Sequence, residues 1–134
     1  MGIELTKDSI DLGIVVKDKD AALKFYRDTL GFEFQEETQM GGGMVMQRLL
    51  CGTSLIKLVT FAETPGQANP VGGINTATGY RYWTISVSNL EELAAECKAA
   101  GYNVPMEPRE IRPGVSIAMV EDPDGNWVEL LKIS

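Results

Sequence analysis

The chain has 134 residues, 44% hydrophobic and 23% charged, a balance that suits one globular domain with its own core and excludes a disordered chain. A formal charge of −7 argues against nucleic acid and anionic membrane as partners, because both bind through basic surface. Histidine is absent, which removes the commonest general base and the commonest transition-metal ligand.

Met1-Gly2-Ile3-Glu4-Leu5 lacks the basic start and long apolar stretch of a secretory signal, and no apolar run reaches membrane-spanning length, so a cytoplasmic location is expected. Ile10 to Val16 alternates as a strand. Asp18 is placed to cap a helix running to about Leu30, whose apolar positions Ala22, Phe25, Tyr26 and Leu30 recur at spacings of three and four until Gly31 stops it. Three strands follow, Phe32 to Gln39, Val45 to Cys51 and Ser54 to Phe61, with turns at Gly41-Gly42-Gly43 and Gly52-Thr53. Ala62 to Gly79 is rich in Gly, Pro, Asn, Ala and Thr, has no periodicity, and reads as a linker or mobile loop.

The pattern then returns. Tyr80 to Val87 is a strand, Asn89 caps a helix bearing Leu90, Leu93, Ala94 and Cys97, and Gly101 ends it. Tyr102 to Met106, Val115 to Glu121 and Trp127 to Ile133 are three more strands, with Pro105, Pro108 and Pro113 at the bends. Asp122-Pro123-Asp124-Gly125 forms the tight turn before the last of them. Element order thus predicts an α+β fold of two tandem βαβββ modules: one domain, 1–134, with module one at about 8–61, a linker at 62–79 and module two at about 80–134. Cys51 and Cys97 have no CxxC spacing and are expected as buried thiols.

Each module has one helix to cover one sheet face, so strand parity shows what the other face carries. If Ile10, Leu12, Ile14 and Val16 lie under the first helix, Asp11, Gly13 and Val15 lie opposite; Trp83, Ile85 and Val87 under the second helix leave Tyr82, Thr84 and Ser86 opposite. Leu55, Lys57 and Val59 share one face of their strand, as do Trp127, Glu129 and Leu131. Asp11, Lys57, Tyr82 and Glu129 therefore emerge in mid-strand among apolar neighbours, either on a solvated face or in a lined cavity.

Asp11-Leu12-Gly13-Ile14-Val15-Val16-Lys17-Asp18, with Ala21-Ala22-Leu23-Lys24-Phe25-Tyr26 and Leu30-Gly31-Phe32, resembles the opening of the vicinal oxygen chelate superfamily. Asp122-Pro123-Asp124-Gly125-Asn126-Trp127-Val128-Glu129 resembles its closing motif, and the similarity covers essentially the whole chain. Glyoxalase I, methylmalonyl-CoA epimerase, extradiol dioxygenases and bleomycin resistance proteins belong to that superfamily. The resemblance implies cupped mixed sheets packed to enclose a cavity, commonly within a homodimer. It also places the four metal-ligand positions on Asp11, Lys57, Tyr82 and Glu129, the residues that parity singles out.

Three of those positions depart from the usual His, Glu and His. A lysine ammonium at one of them repels a divalent cation, and two carboxylates with a phenol make a poor transition-metal site, so neither a metal nor another cofactor is expected. Lys57 can instead neutralise Asp11 or Glu129, and loss of one member of such a pair, if buried, costs about 3 to 5 kcal/mol. Asp11, Lys57, Tyr82, Trp127 and Glu129 are then ligand-binding residues, and Met44, Met46, Met119 and Tyr80 could add an apolar wall for a small organic molecule. Two function classes stay open: a metal-free binding protein like the bleomycin resistance branch, or a glyoxalase- or epimerase-like lyase or isomerase using Lys57, Tyr82 and Glu129 as catalytic groups.

Overall fold

The computed structural model describes residues 2–134. It contains β1 (Asp11–Val15), α1 (Lys19–Leu23), β2 (Glu33–Gly41), β3 (Met44–Cys51) and β4 (Ser54–Thr60), then β5 (Tyr82–Ser86), α2 (Leu90–Ala99), β6 (Met106–Arg112), β7 (Val115–Glu121) and β8 (Trp127–Ile133). The first four strands form a sheet in the order β1-β4-β3-β2 and the last four a sheet in the order β5-β8-β7-β6. In each, the outer pair (β1 with β4, β5 with β8) is parallel and the rest antiparallel. The α+β class and the two tandem βαβββ modules are as the element order predicts. Contacts divide the chain into two compact units after Pro65, so most of the glycine-rich segment belongs with the second unit. Among the described residues no helix is long and apolar enough to cross a membrane.

Asp18 caps α1 as its type suggests, accepting hydrogen bonds from the backbone N–H of Asp20 and Ala21 at 2.9 and 3.1 Å. The helix then widens into a π-helical stretch, Lys24–Thr29, which turns Phe25 and Tyr26 fully inward, edge to face with ring centroids 4.8 Å apart. Asn89, by contrast, stands at the head of α2 but makes no side-chain cap. Leu90, Ala94 and Cys97 bury one face of α2 in the second unit, where Ala118, Val120, Val128 and Leu130 are also buried. Cys97 is buried as expected, and burial pushes its thiol up to about 11. Cys51 is only half-buried.

The sixth strand differs from its expected place. Residues 102–105 form no strand; pairing starts at Met106 and runs through Pro108 to Arg112. Pro108 is tolerated because β6 is the sheet edge, where a missing N–H costs no ladder bond, and the register shifts between Met106 and Arg109. Pro108, expected at a bend between strands, lies in the edge strand instead, whereas Pro105 and Pro113 stand at the bends on either side of it.

Residues 66–79 have no helix or strand, yet the segment is held down within its own unit. The Arg81 guanidinium donates to the carbonyl oxygens of Pro70 and Gly73 at 2.7 and 2.8 Å and to the Thr76 hydroxyl at 2.7 Å. Gly73 is buried against the indole of Trp127, and Asn69 reaches Asn126. One arginine thus satisfies backbone groups that a free loop would leave to water.

Candidate functional site

The helix-free face of the first sheet follows from register. Asp11, Gly13 and Val15 lie beside Leu55, Lys57 and Val59 on β4, and these lie opposite Leu50, Arg48 and Met46 on β3. Asp11 and Lys57 are therefore diagonal neighbours across a parallel pair, and Lys57 Nζ stands 3.8 Å from Asp11 Oδ2. Lys7 also reaches in, its ammonium donating to Asp11 Oδ1 at 2.5 Å. That hydrogen bond, reinforced by the charges of Lys7, Lys57 and Arg48, holds the Asp11 carboxyl below its ordinary range against a weaker opposing desolvation. A depressed carboxyl contributes stability above its unfolded pKa and loses it as pH falls through the lower folded value, so the carboxylate is ionised at neutral pH.

The pair is not buried. The side chains of Lys57 and Asp11 are 31% and 33% exposed, so water screens them and the cost expected of a stranded buried charge does not apply. Lys57→Met should lower stability by less than about 1 kcal/mol. Chemical denaturation checks this, and a loss above about 3 kcal/mol would restore the buried-network picture.

In the second unit, parallel pairing sets Tyr82 beside Trp127 and Thr84 beside Glu129. The Thr84 hydroxyl donates to Glu129 Oε1 at 2.7 Å, orienting the carboxylate, while Tyr82 is 46% exposed. The Trp127 indole N–H donates to Glu121 Oε1 at 3.1 Å, and its ring packs on Gly73, which ties the residue to the loop 66–79. The expected site residues thus fall into two local groups, Asp11 with Lys57 and Tyr82 with Trp127, Thr84 and Glu129. Met46 and Met119 are buried on the same faces, whereas Tyr80 precedes β5 and is 97% exposed. Arg48 joins these groups without any sequence signal of its own, and Thr84, which parity places on its face, is matched to Glu129 only by register, because only register shows which residue a strand presents to its neighbour.

The family model described as Glyoxalase/Bleomycin resistance protein/Dioxygenase superfamily matches residues 9–130. The chain belongs to this superfamily. Over 63 residues it is 36% identical to a lactoylglutathione lyase of Arabidopsis thaliana, an alignment covering 46% of this chain and 22% of that enzyme, so the chain spans only a fraction of the curated relative. Among solved structures it resembles SMU.1112c, at 27% identity and a TM-score of 0.75 over 95% of this chain and 99% of the other. A glyoxalase family protein from Bacillus cereus, 17% identical, superposes with a TM-score of 0.83 over 98% and 96% of the two chains and supports the fold alone.

Many superfamily members bind a metal at the four positions named above, and the donor set here does not fit one. An ammonium at position 57 cannot ligate, Asp11 is engaged by two lysines, and Glu129 accepts from Thr84. Among the described residues no group of three or more His, Cys, Asp or Glu is gathered to hold an ion.

Proposed function

We propose that this glyoxalase-superfamily chain is a cytoplasmic small-molecule-binding protein that acts as a homodimer. Its candidate ligand-binding residues, an organic molecule being bound without a metal, are Asp11 and Lys57 on the helix-free face of the first unit and Tyr82, Trp127 and Glu129 on that of the second. The observation that carries this reading is the Asp11 to Lys57 ion pair at 3.8 Å, a fixed cation at positions where other members use metal ligands. Thr84 supports it by aiming Glu129 with a neutral hydroxyl. Neither nucleic acid nor a membrane surface suits a chain of net charge −7.

Elemental analysis of dialysed protein should find no stoichiometric zinc, nickel, iron or manganese, and about one such ion per chain would refute the metal-free site. Light scattering should give a dimer at micromolar concentration, and a monomer would remove the dimer from the proposal. A thermal-shift screen of small aromatic and aliphatic metabolites should reveal at least one saturable binder. A screen without any would count against the binding reading.

A second reading follows from the named relative, a lactoylglutathione lyase. In it Tyr82 stabilises an oxyanion and Glu129, oriented by Thr84, moves the proton of a carbonyl substrate. Turnover of lactoylglutathione by metal-stripped protein, lost on Glu129→Gln with folding intact, would establish this reading over simple binding.

A further inference from the structure

The helix-free face of the first sheet carries more hydrogen-bond donors than the protein itself uses. Arg48 and Lys57 are direct cross-strand partners on β3 and β4, and like charges set opposite one another destabilise a sheet unless something else holds them. Glu36, the cross-strand partner of Arg48 on β2, and Asp11 do so only loosely. Arg48 Nε is 3.7 Å from Glu36 Oε1, a side chain 66% exposed, and Lys57 Nζ is 3.8 Å from Asp11 Oδ2, so both lie beyond ordinary hydrogen-bond length. Among the described residues the guanidinium otherwise donates to the Met46 thioether, at 3.7 Å. Asp11 gives its shorter contact to Lys7. Both cations are 31% exposed and each has only a loose ion-pair partner, so each keeps donor capacity for a ligand. Around them the same face presents Met46, Leu55 and Val59, each less than a tenth exposed.

We infer that Arg48 and Lys57 form an oxyanion clamp on the first sheet, so that the ligand is an organic anion: an apolar body bearing a carboxylate, phosphate or sulfonate group. This rests on the small-molecule reading above and narrows its ligand class. The planar fork of Arg48 engages two oxygens at once, and the Lys57 ammonium supplies a point charge beside them. An anion seated there removes the repulsion between the two cations, whereas a cationic ligand would add to it. The apolar neighbours accept the rest of the molecule.

A matched pair of probes tests the clamp: anilinonaphthalene sulfonate and its uncharged parent, phenylnaphthylamine, titrated by fluorescence into the full chain. The sulfonate should bind saturably and be displaced by inorganic phosphate. Arg48→Gln should weaken it by about tenfold or more, the scale of a lost charge-assisted hydrogen bond, and leave the parent unchanged. Lys57→Met should do the same, and circular dichroism of both variants controls for folding. If both probes bind alike and neither substitution separates them, the clamp is refuted while the small-molecule reading survives. Saturable binding of neither probe overturns both.

Discussion

Asp122→Ala should destabilise the protein by about 3 kcal/mol, a fall of roughly 10 °C in melting temperature. Asp122 is 4% exposed and organises the turn that launches β8. Its Oδ1 accepts the backbone N–H of Asp124 and of Asn126, each at 2.9 Å, and its Oδ2 accepts the Asn126 side-chain amide at 3.0 Å. The backbone closes the same turn, with Asp122 N–H donating to the Asn126 carbonyl at 2.8 Å and Gly125 N–H to the Asp122 carbonyl at 3.0 Å. Alanine leaves two part-buried N–H groups without their acceptor, and hydrogen bonds to a charged group are the ones worth most. The loss should fall short of the sum of three bonds, because the turn can relax and water can enter. Asp122→Asn keeps an acceptor for the two backbone donors and should cost about half as much. Calorimetry of the pair settles it: equal losses would mean that the carboxylate's charge and second oxygen do all the work, and a loss under about 0.5 kcal/mol for alanine would dismiss the turn as a stabilising element. Glu129 lies seven residues on, so Asp122→Ala should also loosen the site of any bound ligand.

The second large effect is expected at Gly73. A Cβ there would lie 2.3, 2.6 and 2.7 Å from Cη2, Cζ2 and Cζ3 of Trp127, far inside van der Waals contact, and the backbone sits at φ +90°. Gly73→Ala should therefore cost about 3 kcal/mol, of which about 1 to 2 is backbone strain and the rest overpacking against the ring. A double-mutant cycle separates the two. In a Trp127→Leu background the ring is gone, so Gly73→Ala should cost only the strain. Identical costs in both backgrounds would show that the indole is not what confines the loop. Arg81 predicts the direction of the remainder: its hydrogen bonds to Pro70, Gly73 and Thr76 hold the displaced segment near the sheet, so the clash cannot be relieved by the whole loop swinging away.

These two residues also mark how far sequence carries. Asp122-Pro123-Asp124-Gly125 is legible as a turn because proline, aspartate and glycine each have a local conformational reason to be there. Gly73 carries no such message. It stands among glycines, prolines and asparagines that read as linker, and its importance arises from an indole more than fifty residues away in the chain.

The sequence by itself determined the two βαβββ modules, the Asp18 cap, the inward faces of the helices and the parity that puts Asp11, Lys57, Tyr82 and Glu129 on helix-free faces. All of these follow from periodicity, local conformational preference or a shared sequence pattern, and so need no knowledge of what a strand lies beside. Only tertiary structure decided that β6 runs through Pro108, because tolerance for proline depends on being the edge. It alone paired Arg48 with Lys57 and Thr84 with Glu129, since register is a property of two strands. It also left the Asp11 to Lys57 pair half-exposed, because burial depends on which neighbours cover a face, and a strand's alternation records only which side each residue takes.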